Sequence, residues 1–223
     1  MCGLYSFRKS AEETRSLFDY LDTPDFPPRT YVAPGGPIAV VRMEQGQRRF
    51  ALVRWGFIPS WVKELKPGKP LINARGETVA EKPSFRHAFR RRRCLIPADG
   101  FYEWLGDVPG KKIPYFIHRA DDGLFAFAGL WEHWMSPDGS EIETGVIVTT
   151  APNREVAEIH DRMPVVIQPQ DYETWLTGEV DAAAKLIHPA PDGFFTLEPT
   201  RIERNAPPPR AKVEKASPQM KLL

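Results

Sequence analysis

Apolar positions in this chain come in short runs, many alternating with polar ones at a period of two. Such alternation lets one face of an extended segment pack on a core while the other meets solvent. It predicts strands over residues 2–7, 38–42, 50–55, 94–97, 101–105, 114–119, 124–131, 143–150, 164–167 and 194–197, with a shorter extended stretch at 71–75. A polar turn at 44–49 joins the second and third of these. Helical spacing is confined to brief stretches at 11–21, 84–92, 153–159, 172–176 and 181–187. The first opens on Ser10 with Glu13 three residues on, the spacing at which side chains and backbone cap each other, and puts Leu17, Phe18 and Leu21 on one face. Five prolines between 24 and 37 predict an irregular connection. Together these elements predict an α+β fold: a single domain over 2–205, a mostly antiparallel, barrel-like sheet system with short peripheral helices. The stretch 206–223 carries prolines and lysines with little to bury, and is expected to be a disordered tail.

Composition narrows the function classes. A chain of 223 residues buries roughly 70% of its unfolded surface and needs no disulfide or metal to fold. A formal net charge of +1 gives no global pull on nucleic acid, so any basic binding surface must be local. Two cysteines, Cys2 and Cys94, make no disulfide framework, and no Cys/His cluster has zinc spacing, so neither metal nor cofactor is expected. There is no long apolar run and no apolar core to the N-terminus, so neither a membrane span nor a secretory signal is expected. The expected setting is the reducing cytoplasm, on the nucleoid in a bacterium, with the protein a monomer.

Candidate chemistry begins at Met1-Cys2-Gly3. If Met1 is removed, Cys2 carries a free α-amine and a thiol on adjacent carbons. The amine, with a reference pKa of about 7.7–8.0, is partly neutral at physiological pH and adds to aldehydes as an imine. The thiol can then close on the imine carbon as a five-membered thiazolidine. The plain alternative is that position 2 is simply a small residue. Asn73 and Arg75, directly after an apolar run, suit a hydrogen bond to a nucleophile and a fork for phosphate, or else a turn and a solvated cation. Glu103 stands between Tyr102 and Trp104. It is either a carboxylate desolvated beside rings and suited to acid–base work, or one turned to water by strand alternation. His160 is the histidine with both a carboxylate and an arginine beside it, Asp161 and Arg162. The basic run from Arg90 to Arg93, with Trp55, Trp61 and Trp104 elsewhere, is either a solvated helix end or a groove tracking a single strand with rings for base stacking.

Six stretches in order carry a resemblance: Met1-Cys2-Gly3, Val32-Ala33-Pro34, Trp55-Gly56-Phe57-Ile58-Pro59-Ser60-Trp61, Ile72-Asn73-Ala74-Arg75-Gly76-Glu77-Thr78, the run from Arg93 to Trp104, and Ile159-His160-Asp161-Arg162-Met163-Pro164. Together they resemble the SOS-response-associated peptidase (SRAP) family. The resemblance implies a sensor of abasic sites in single-stranded DNA that cross-links itself to the ring-opened aldehyde through Cys2. By that likeness Asn73 positions Cys2, Glu103 and His160 handle protons, Arg75 and Arg162 contact phosphates, and Trp61 lies near bases. Trp55, Arg90 and Arg93 are added as DNA contacts. The family is also said to remove its own initiator methionine. Two departures, Leu4 where the family often has arginine and Arg29-Thr30-Tyr31 before Ala33-Pro34, bear on DNA affinity rather than on the cross-link.

Two rivals remain. An N-terminal-nucleophile amidohydrolase of the glutamine amidotransferase kind also begins Met-Cys-Gly, but needs a glutamine-binding segment absent from this sequence. A non-enzymatic reader of modified DNA would use the arginine run and tryptophans, and would leave the acid–base set without a task.

Overall fold

The computed structural model describes residues 2–202 except 23–25, 65–67, 107 and 109. The expected tail at 206–223, and the end of the expected domain at 203–205, lie outside the described residues. In chain order the elements are β1 (Tyr5–Phe7), α1 (Ala11–Phe18), β2 (Arg29–Val32), β3 (Pro37–Glu44), β4 (Gln47–Trp55), β5 (Asn73–Arg75), α2 (Arg86–Arg91), β6 (Arg93–Ala98) and β7 (Gly100–Leu105). They continue with β8 (Ile113–His118), β9 (Phe125–Met135), β10 (Glu141–Thr150), α3 (Arg154–Ala157), β11 (Met163–Pro164), β12 (Val166–Ile167), α4 (Tyr172–Thr177), α5 (Val180–Lys185) and β13 (Thr196–Pro199).

The alternating runs pair into a ring. Strands β4, β3, β6 and β9 are joined by antiparallel ladders, and β10 then pairs antiparallel with β9 and parallel with β4, closing the barrel. Closure removes the unpaired edges that an open sheet would offer to other chains. Strand β5 adds parallel to β10, from Ile147↔Asn73 to Thr149↔Arg75. A second, wholly antiparallel sheet runs β13-β8-β7-β1-β2. Its inward residues Tyr5, Phe101 and Ile117 share one buried cluster with Ile38, Trp55, Ile96, Phe127 and Ile147 of the barrel. A second cluster joins Val41, Leu95, Val146 and Val148 to Phe89, Tyr172 and Trp175 of α2 and α4. The fold is thus α+β, mostly antiparallel and barrel-like, as the pattern predicts.

Boundaries differ from the pattern for local reasons. Helix α1 stops at Phe18 because Asp19 adopts a left-handed φ of 51° and its N–H returns to the Arg15 carbonyl. Its start is the predicted reciprocal cap: Glu13 N–H on Ser10 Oγ at 3.1 Å, and Ser10 N–H on Glu13 Oε2 at 3.0 Å. The β3–β4 turn is only Gln45 and Gly46, both at positive φ, so the flanking strands outrun the predicted polar turn. Strand β2 lies inside the proline-rich connection, where no strand was predicted. It is an edge strand with the prolines of that connection outside it, so none interrupts its ladder with β1.

Strand β1 is held from below by Asp99, which is fully buried. Its carboxylate accepts from the Ser6 hydroxyl, and from the Arg8 backbone N–H and Nε–H, both at 3.0 Å. That clasp fixes the strand whose N-terminal extension carries Cys2.

Candidate active site around Cys2

Four segments deliver the site. Cys2 lies just before β1 and is 1% exposed, its thiol donating to the Leu4 carbonyl at 3.7 Å. Asn73 opens β5, and its Nδ2–H donates to the Cys2 carbonyl at 2.8 Å. The residue before it is pinned by the Trp55 indole N–H, which donates to the Ile72 carbonyl at 2.9 Å. The Oδ1 of Asn73 is buried and has no partner among the described residues, an acceptor left for an incoming donor.

Glu103 comes from β7, the neighbour of β1. The register Tyr5↔Phe101, continued by the Tyr102 N–H on the Leu4 carbonyl at 2.9 Å, brings the Cys2 end of the chain alongside it. Glu103 is 2% exposed, so of the two readings of its strand position the buried one holds. Burial, with the Asp161 charge adding to it, pushes its carboxyl up to about 7. Burial and the Glu103 charge together push the Cys2 thiol well above its ordinary range.

His160 lies in the loop after α3, with Nε2 4.0 Å from Glu103 Oε2. Its Nδ1 accepts the Arg162 backbone N–H at 2.9 Å and also lies 2.9 Å from Asp161 Oδ1. Both cannot bond the same neutral nitrogen, since one offers a proton and the other needs one. The backbone donor is fixed, whereas the Asp161 side chain is 87% exposed and free to turn into water. We therefore assign Nδ1 as acceptor and the ring proton to Nε2, facing Glu103. Burial lowers the His160 pKa, favouring the neutral ring.

The other expected contacts divide. Arg75 is exposed at the end of β5, and Arg90 is exposed on α2. Trp61 is 63% exposed and walls an open cleft of about 850 Å³ with Phe57, Lys63, Lys69 and Leu71. Arg162 is engaged by Glu77 and by Thr149. Two expectations are corrected. Trp55 is 0% exposed in the core, edge-on to Tyr5 at 5.4 Å, so it offers no face to a base. Arg93 is 5% exposed and donates to the carbonyls of Phe89, Trp175 and Gly178, tying α2 to α4. Its neighbour Arg92 is spent on buried Glu132 at 3.0 Å. The arginine run is thus half surface and half scaffold. Sequence reasoning passed over the roles of Asp99 and Glu77, both inside quoted motifs, because their partners are remote in the chain.

The family model described as SOS response associated peptidase (SRAP) matches residues 1–205. Abasic site processing protein YoqW of Bacillus subtilis (strain 168) is 41% identical over 179 residues, 79% of this chain and 80% of that protein. Abasic site processing protein YedK of Escherichia coli (strain K12) is 33% identical over 186 residues, 81% of each. Among solved structures, a protein from Bacteroides thetaiotaomicron superposes with a TM-score of 0.79 at 25% identity, covering 90% of this chain and 92% of that one.

Proposed function

The chain belongs to the SOS response associated peptidase (SRAP) family, and from that premise we propose that it captures abasic sites in single-stranded DNA by a covalent link through Cys2. The relatives named above as abasic site processing proteins support the substrate. The observation that carries the chemistry is convergence: Asn73 on the Cys2 carbonyl at 2.8 Å, and a buried Glu103 4.0 Å from His160 beside that same residue.

The steps follow from the groups. Loss of Met1 frees the Cys2 amine; whether the protein cuts itself is tested by refolding it with Met1 present and following the N-terminal mass. An abasic sugar is mostly a closed hemiacetal, so ring opening needs a proton removed from the C1′ hydroxyl and one given to the ring oxygen. Glu103, raised toward neutrality, can take the C1′ hydroxyl proton as a carboxylate and return it to the ring oxygen as an acid, while neutral His160 turns its Nε2–H toward the same oxygens as a hydrogen-bond donor. The neutral amine then attacks C1′, and water leaves as the imine forms. The thiol adds to the imine carbon, its proton passing to the nitrogen, and the thiazolidine closes. Closure removes the imine before β-elimination can break the strand, so the product shields the lesion. Asn73 holds the Cys2 backbone in place for both bonds. Arg75 and Arg162 would receive flanking phosphates, Arg90 a more distant one, and Trp61 a base face. A single strand presents the sugar without the cost of unstacking a duplex.

The test is incubation with a single-stranded oligonucleotide bearing one abasic site. An SDS-resistant adduct is expected from the wild type and none from Cys2→Ala. Cys2→Ser should give only an imine trappable by borohydride. A stable adduct from Cys2→Ala would overturn the reading.

A further inference from the structure

We infer that Glu77 is a resident stand-in for a DNA phosphate, seated on the fork of Arg162 and displaced when the strand binds. The inference rests on the reading of Arg162 as a phosphate contact given above.

The guanidinium of Arg162 has two differently committed edges. One Nη2–H is turned to β10, with the Thr149 carbonyl at 2.8 Å and the Thr149 hydroxyl at 3.2 Å. The outward edge holds a two-oxygen anion: Glu77 Oε1 sits on Nη1 and Oε2 on Nη2 at 2.9 Å. A fork of parallel N–H donors is the geometry that receives carboxylate and phosphate alike. The receptor is built in and its occupant is loose: the Arg162 side chain is 14% exposed and that of Glu77 is 51% exposed. If Glu77 leaves, Thr149 still orients the guanidinium. Glu77 rides on the short 3₁₀ turn Gly76–Thr78, directly after exposed Arg75 at the end of β5. Hydrogen bonding to Arg162 holds its carboxyl below the usual range, with the Arg75 charge adding to this. Two cations therefore share one carboxylate in the free protein, and its departure leaves both facing the strand.

Energy scale favours exchange over a permanent clasp. Glu77 is half exposed, so water screens its pair with Arg162 and solvates the carboxylate when it leaves. A phosphate can displace it, and the contest lowers affinity for undamaged strands that offer phosphates but no aldehyde. Capture then depends on the covalent step at Cys2 rather than on prior sticking.

The test is equilibrium binding, by fluorescence anisotropy at low ionic strength, to a single-stranded oligonucleotide carrying a tetrahydrofuran in place of the abasic sugar. That analogue has no aldehyde, so no adduct forms. Glu77→Gln should tighten binding about two- to fivefold. Arg162→Ala should weaken it, and the double variant should match Arg162→Ala. Unchanged or weaker binding by Glu77→Gln, where Arg162→Ala does weaken, overturns the inference and leaves the phosphate reading standing. A gain that persists in the double variant also overturns it, since Glu77 would then act as a diffuse charge. If Arg162→Ala binds as well as wild type, the phosphate reading itself fails, and the inference with it.

Discussion

At the scale of single residues, burial would set the order of events in the proposed link at Cys2. A thiol pushed above its ordinary range by burial and by the Glu103 charge stays protonated, so its sulfur is a poor first nucleophile. The amine should therefore bond first and the sulfur close second, which is the order the chemistry needs. Glu103 carries a cost that follows from the same burial. Its folded pKa of about 7 lies above the ordinary value of 4.5, so the unfolded chain releases the proton first as pH rises. Stability contributed by this group is complete below pH 4.5 and is lost as pH rises from there to about 7. The loss amounts to roughly 3 kcal/mol, at about 1.4 kcal/mol per unit. Glu103→Gln should thus melt at a higher temperature than wild type at pH 8, with the difference vanishing near pH 4. The same variant should form adduct about 10²-fold or more slowly and lose the rate titration near pH 7. Calorimetry and quenched adduct assays over that pH range check both. Asn73→Ala removes the bond to the Cys2 carbonyl, and the adduct rate should fall by about 10²-fold through misplacement alone.

At the scale of elements, β1 matters as the arm that carries Cys2. Asp99 accepts from three groups of that arm and is itself fully buried. Asp99→Ala would leave the Arg8 N–H without its acceptor and the Ser6 hydroxyl with only the longer bond to the Gly100 carbonyl at 3.3 Å, costing about 1–3 kcal/mol and slowing adduct formation together. Urea unfolding and the adduct assay on the same preparation check this. Ser10→Ala is the contrast: it deletes the α1 cap and should cost about 1 kcal/mol while leaving the adduct rate unchanged. The cap was legible in the sequence because both partners lie within three residues. The β1 clasp was not, because Ser6 and Asp99 are 93 residues apart.

At the scale of the molecule, a near-neutral total leaves the proposed strand contacts to local cations: Arg75 and Arg90, which are exposed, and Arg162, paired with Glu77. Each phosphate contact on a single strand contributes a slope of about −0.7 in log affinity against log salt. Arg75→Ala should flatten that slope by about one such unit, as measured with the tetrahydrofuran oligonucleotide at several salt concentrations. An adduct already formed should be indifferent to salt. Trp55 plays the opposite part: cut to alanine, it should cost about 3–5 kcal/mol by leaving a cavity where barrel and second sheet meet.

The sequence by itself determined the strand-rich α+β pattern, the short helices and the residue types of the site. Each of these is written in neighbours a few positions apart, where alternation, caps and motif spacing act. Only the tertiary structure decided which of those residues face water. Trp55 and Trp61 end the same loop, yet one is core and the other exposed. Arg90 and Arg93 belong to one run, yet one is outward and the other is bound to carbonyls up to 85 residues away. Burial and pairing arise from such distant contacts, as does the meeting of Asn73 with Cys2 across 71 residues. The same holds for the neutral-range carboxyl of Glu103, because a pKa answers to the whole surroundings and not to the residues beside it in the chain.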